Sequence, residues 1–177
     1  MKPSFATARL VLRPVRADDA ALLFELDADA EVRRFVDQPE PPTMAMCEAV
    51  VARMRSIDEA TPALGFWIAE EAGAFVGWFH LKPPREGEPA EPGDLELGYR
   101  LVRRAWGRGL ATEGSQALVD HGLRAMHAPR VTAVAFGANH ASIAVMRKLG
   151  MTMWREWVYH ARASGEAIPA VIYARPR

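Results

Sequence analysis

The sequence predicts a mixed α/β domain, a largely antiparallel sheet flanked by helices, and three observations carry that expectation. Two apolar, aromatic-rich runs, Gly65 to Glu70 (GFWIAE) and Phe75 to Leu81 (FVGWFHL), are joined by the short segment Glu71 to Ala74, the signature of an antiparallel hairpin. Two more strand-like runs, Asp94 to Val102 and Arg130 to Phe136, are each followed by a break and a helical pattern. With no internal repeat or heptad pattern, and 50% hydrophobic against 25% charged residues in 177, a single domain over residues 1–177 with one sizeable core is expected.

The elements follow in order. Leu10, Val11 and Leu12 make a short strand that stops at Pro14, since proline cannot continue a ladder. Asp18 reads as the N-cap of a helix through Ala28 that buries Leu22, Leu23 and Leu26, and a further helical turn or two runs through DAEVRRFVD. Pro39, Pro41 and Pro42 break the chain. Thr43 then caps a longer helix in which Cys47, Val50, Val51, Met54 and Ile57 recur at helical spacing. After the hairpin, Pro83 to Gly93 (PPREGEPAEPG) is a surface loop by composition.

A helix from about Ala111 to Met126 places Ala111, Ser115, Leu118, Gly122 and Ala125 on one face, small enough to pack closely on a sheet. Arg130 to Phe136 (RVTAVAF) is near-continuously apolar, as a strand buried on both faces should be. Asn139 starts the next helix, with a stripe of Ile143, Met146 and Leu149 and a stop at Gly150. Two last strands, Met153 to His160 and Ala170 to Pro176, form a hairpin around the loop Arg162 to Glu166.

Between the strand at Asp94 to Val102 and its helix, Gly107 and Gly109 flank Arg108. A backbone that bends there with no side chain at its tightest points, ahead of a helix whose first N–H groups are unpaired, suits an anion such as a pyrophosphate. Arg100, Arg103, Arg104 and Arg108 lie nearby in sequence. An ordinary strand-to-helix turn with a solvated basic face fits the glycine pair alone equally well.

Twenty-two basic and twenty-two acidic side chains cancel, which argues against a general nucleic-acid binder and for a small molecule or peptide partner. The single cysteine, Cys47, has no intramolecular partner and sits on an apolar helical stripe, in keeping with a reducing, cytoplasmic setting. No run reaches the roughly 20 apolar residues of a membrane span, so no membrane partner is expected. There is no Gly-x-Ser-x-Gly elbow, no Lys-Ser/Thr after the glycines for a P-loop, and no metal-ligand spacing among the five histidines.

The element order, with Trp106-Gly107-Arg108-Gly109-Leu110-Ala111-Thr112 at the first crossover and Asn139, Ser142 and Met146-Arg147-Lys148-Leu149-Gly150-Met151 at the second, resembles the GNAT superfamily of acetyl-CoA-dependent N-acetyltransferases over nearly the whole chain. Trp106 in place of the usual Gln or Arg, followed by Gly-Arg-Gly-Leu-Ala-Thr-Glu, is similar to the RimJ/RimL-type branch, which acetylates protein N-termini and related amines. Met151 replaces the usual phenylalanine. Two motifs, one per crossover and in the right order, are more specific than either alone.

The resemblance implies a GNAT-like acyl-CoA N-acyltransferase fold, acetyl-CoA as cosubstrate, no metal, and an amine acceptor that is either a protein or peptide N-terminus or a small-molecule amine. Monomer or homodimer is the expected state. It carries pairing with the pantetheine arm onto Tyr99, Arg100 and Leu101, with a local splay from Arg130 to Phe136 making room. Pyrophosphate binding falls to Gly107, Arg108, Gly109, Leu110, Ala111 and Thr112, and contacts near the thioester to Asn139 and Ser142.

As catalytic residues it implies Glu96 as base and, because Met146 stands where many relatives place a proton-donating tyrosine, either Ser142 or a water as acid. Glu96 reads equally as a solvated carboxylate or an attractor of cations, Ser142 as a first-turn helix residue, and Asn139 as an N-cap. His80 is a second base candidate. A catalytically weak or inactive CoA-binding regulatory module is the competing reading.

Overall fold

The computed structural model describes residues 2–38 and 40–177; the break expected at Pro39 lies outside the described residues. The chain runs β1 (Phe5–Ala6), β2 (Leu10–Pro14), α1 (Ala20–Ala28), α2 (Ala30–Arg33), α3 (Met44–Ala60), β3 (Gly65–Glu71), β4 (Ala74–Lys82) and β5 (Leu95–Leu101). A 3₁₀ turn at Arg103–Ala105 leads to α4 (Leu110–Asp120), a π turn at His121–Ala125, β6 (Arg130–Phe136), α5 (His140–Lys148), β7 (Thr152–His160) and β8 (Ala167–Pro176).

One sheet holds all the strands in the order β1-β2-β3-β4-β5-β6-β8-β7. Every neighbouring pair is antiparallel except β5 and β6, which run parallel. The predicted hairpin is β3–β4, turning through Ala72 and Gly73, both at positive φ (49° and 80°), as a two-residue hairpin turn requires. The loop predicted over Pro83 to Gly93 carries no helix or strand.

Strand alternation gives the centre of the sheet two differently used faces. Phe79 points to α4, where Gly114 passes so close that an added Cβ would lie 2.5 Å from the Phe79 ring. Trp78 and His80 point to the other face, where α1 packs and Arg100 of β5 pairs with Asp27 at 2.6 Å. Trp67, Phe79, Leu81 and Leu97 have no more than 2% exposure, so the core lies at the sheet's middle, beside the cavity described below.

Local expectations need four corrections. The residue ahead of α1 is Asp19, whose carboxylate is occupied by Arg13 and the Arg16 N–H and does not cap the helix, so Asp18 is not the N-cap. Thr43 does cap α3, accepting the Met46 N–H, but Val50 is 44% exposed and off the buried stripe of Cys47, Val51 and Met54. The helix expected to Met126 ends at Asp120 and widens into the π turn, which leaves Ala125 exposed. Strand β1, joined to β2 by the turn at Thr7, is too short to leave a periodic signal.

Candidate active site

The parallel pair β5–β6 keeps register only at Leu95↔Val131 and Glu96↔Thr132. Beyond Glu96, β5 remains paired with β4, and β6 beyond Thr132 remains paired with β8, so the two strands part and leave main-chain groups facing a gap. This is the splay expected between these segments. A cavity of about 540 Å³ fills it, lined by β5 from Glu96 to Leu101, by β6 from Ala133 to Phe136, and by both crossover helices.

At one end of the cavity lies the glycine turn. Gly107 and Gly109 have φ of 70° and 81°, a region costly for any residue with a Cβ. Gly109 is the N-cap residue of α4 and offers no side-chain cap, so the N–H groups at the start of the helix point outward unsatisfied by the helix itself. The Trp106 indole N–H donates to the Leu101 carbonyl at 2.8 Å and fastens the turn to the end of β5. That role explains a tryptophan at the motif's departing position, and sequence spacing gave no signal of it.

Gly107, Gly109, Leu110, Ala111 and Thr112 line the cavity; Arg108 does not. The Arg108 guanidinium forms a two-pronged pair with Glu71, both contacts 2.8 Å, while its carbonyl accepts from Arg9. The other arginines of the cluster are also engaged. Arg100 pairs with Asp27 on the sheet face opposite α4, Arg103 with Asp29, and Arg104 with Glu25 and the Phe75 carbonyl. The cluster therefore ties the glycine turn and the end of β5 to the N-terminal helices and the β3–β4 hairpin, and every arginine of the cluster is paired.

At the second crossover, Asn139 Oδ1 accepts the Ser142 N–H at 3.1 Å, so Asn139 caps α5 and also lines the cavity. Ser142 Oγ lies 3.0 Å from the Tyr99 hydroxyl, a contact that bridges the gap between β5 and α5. Burial pushes the Tyr99 phenol up to about 12, although its hydrogen bond with Ser142 acts the other way. Met146 is 1% exposed and also lines the cavity.

On the opposite face, Glu96 is 6% exposed and forms a buried ion pair with Lys82 Nζ; its other oxygen, Oε1, is 3.6 Å from His80 Nε2. Burial opposes its ionisation, but His80 and Lys82 outweigh burial and hold the carboxyl well below the usual carboxylate range. His80 is 4% exposed, and burial lowers its pKa against the raising effect of Glu96. Among the described residues no group of three His, Cys, Asp or Glu side chains is placed to hold a metal ion, and no helix is long and apolar enough to cross a membrane.

Residues 9–152 match the acetyltransferase (GNAT) domain family. An FsC-acetyl coenzyme A-N(2)-transacetylase of Aspergillus fumigatus is 30% identical over 154 residues, which cover 85% of this chain and 66% of that protein. The fold is similar to that of RimL, a ribosomal L7/L12 alpha-N-protein acetyltransferase solved with coenzyme A, at a TM-score of 0.82, 19% identity and 98% coverage of both chains. It is similar also to a Salmonella typhimurium acetyl transferase that modifies the N-terminal serine of 50S ribosomal subunit protein L7/L12, at a TM-score of 0.79, 19% identity, and 97% and 96% coverage.

Proposed function

The chain belongs to the acetyltransferase (GNAT) domain family, and from that premise we propose that it moves acetyl from acetyl-CoA to a primary amine by direct transfer in one ternary complex. The observation that carries this reading is the cavity between the parted β5 and β6, which runs from the glycine turn to the Tyr99–Ser142 contact and on to Glu96. Acetyl-CoA supplies the activated acyl group and the thiol leaving group. The residues fit it: open N–H groups at Gly107 to Thr112 suit pyrophosphate, and the edge of β5 that β6 leaves without a strand partner beyond Glu96, apart from the Leu101 carbonyl taken by Trp106, suits an amide-bearing arm.

Ser142 is the proton donor to the departing sulfur, and Tyr99 positions it. Either hydroxyl can donate in the Tyr99–Ser142 contact; with the phenol, which stays protonated, as donor to Ser142 Oγ, the serine's own proton is free for the sulfur. This arrangement compensates for Met146, which has no proton to give, and so favours an enzyme over a CoA-binding regulatory module. Glu96 is charge-balanced by Lys82 and keeps its second oxygen, Oε1, as a hydrogen-bond acceptor facing His80 at the cavity wall.

The acceptor is a primary amine; relatives of similar fold include enzymes acting on a ribosomal-protein N-terminus, and the 30% identical relative is an N(2)-transacetylase, so peptide N-termini and small-molecule amines both enter the test. The test is a thiol-release assay with acetyl-CoA against a panel of peptides, amino acids, polyamines and aminoglycosides. Release only when an amine is present, with a Ser142→Ala loss of about a hundredfold in kcat, is the expected outcome. Tight CoA binding with no release on any amine would instead establish the regulatory module.

A further inference from the structure

His80 is the one buried titratable side chain lining the cavity whose two polar atoms both lack a hydrogen-bond partner among the described residues. Unpaired nitrogens in a buried ring are costly, and proteins keep such groups where a ligand or a proton will use them. The ring is also held in one orientation. It stacks on Trp78 with centroids 5.8 Å apart and 19° between planes, and meets the edge of Phe66 at 5.2 Å. Beneath it is Gly98, where an added Cβ would lie 2.5 Å from His80 Cε1.

Glu96 is placed differently. One of its oxygens is taken up by Lys82, and a carboxylate already paired with an ammonium is a weaker proton acceptor than a neutral imidazole with open nitrogens. The free Oε1 faces the His80 ring at 3.6 Å, a distance that closes to a hydrogen bond with a small shift once the ring carries a second proton.

We propose that His80 takes the proton from the incoming alkylammonium, directly or through one water, and that Glu96, clamped by Lys82, is the fixed anion that orients the imidazole and stabilises the imidazolium. The inference rests on the acetyl-transfer reading and assigns its base. The ammonium gives one N–H proton to His80, and the freed amine forms the C–N bond as the thioester C–S bond breaks. Ser142 gives its proton to the sulfur and recovers one from the nitrogen as the amide forms, and His80 releases its proton to solvent, so one proton leaves per acetyl transferred.

The charged groups around the ring are Lys82 on its own strand, Glu96 on β5, Arg85 and Glu88 from the loop after β4, and the Arg100–Asp27 pair beyond Trp78. Burial outweighs Glu96 and keeps the ring neutral at physiological pH, ready to accept. Activity then falls as pH drops through a His80 pKa lying below the ordinary histidine value, because only the neutral ring takes the proton.

The experiment measures kcat/KM against pH for the wild type, His80→Gln, His80→Ala and Glu96→Gln, with coenzyme A affinity by calorimetry and the His80 ring followed by NMR titration. The expected results are a loss of about a hundredfold or more in His80→Gln with CoA affinity within about twofold of wild type, disappearance of the acid limb, and partial rescue of His80→Ala by added imidazole. In Glu96→Gln the His80 pKa moves down, since the anion that favours its charged form is gone. A His80→Gln enzyme that keeps its rate and its acid limb, or an acid limb lost only in Glu96→Gln, overturns the proposal while leaving acetyl transfer intact. A wild type with no amine-dependent thiol release overturns both.

Discussion

Gly109 is conformationally constrained at the glycine-turn end of the cavity. Its φ of 81° costs a side-chain-bearing residue about 1–2 kcal/mol, and a branched side chain there would stand among the N–H groups that start α4. Gly109→Val is expected to lower Tm by about 2–8 °C, on a scale of about 2–4 °C per kcal/mol for a chain this long. CoA binding, read by calorimetry, should be abolished.

Lys82 offers a second prediction at the residue scale. Lys82→Met strands a buried Glu96 charge and is expected to cost about 3–5 kcal/mol at pH 7 in urea denaturation. Because the folded Glu96 pKa lies below its unfolded value, the pair stabilises above the unfolded carboxylate pKa and loses that contribution as pH falls through the folded one. The gap between Lys82→Met and wild type should therefore shrink on acidification. The placement of Gly107, Gly109, Asn139 and Ser142 at the cavity was legible because it follows from backbone geometry or a helix cap, which local sequence encodes. The direction of Arg108 was not, since it is set by Glu71, a strand residue distant in the chain.

At the scale of elements, the crossover helices are where packing and propensity compete. Gly114 lies inside α4, where alanine would ordinarily gain about 1 kcal/mol, yet the added Cβ would press to 2.5 Å of the buried Phe79 ring. Overpacking costs about 1–3 kcal/mol, so Gly114→Ala is expected to destabilise on balance, measured as a lower urea midpoint with unchanged m. The β3–β4 hairpin was readable from two aromatic runs and a short turn, and α3 from its cap and most of its stripe. The π turn after Asp120 was not, because the expected periodicity of Ala111, Ser115, Leu118 and Gly122 runs on into it without a break. Gly122 sits where an added Cβ would come within 3.0 Å of Val131, a tertiary contact with no local signature.

Across the whole molecule, the expected α/β class and largely antiparallel sheet follow from the order of patterns along the chain, whereas the splay between β5 and β6 was expected only through the family resemblance, because local patterns do not encode where two neighbouring strands part. The position of the last hairpin is a long-range choice: β8 lies against β6 and leaves β7 at the edge. Acetyl-CoA bound as proposed, across the two crossovers, would link the parted strands only in the folded state. At a concentration a hundred times its Kd it should add about 2.7 kcal/mol and raise Tm by about 5–11 °C in a thermal melt.

Direct transfer within that gap is read out by a single-turnover mix of enzyme with acetyl-CoA, with free thiol detected before and after addition of amine. No thiol is expected until the amine arrives, and then one thiol per acetylated amine. A burst of thiol equal to the enzyme concentration without amine would show an acyl-enzyme and contradict direct transfer.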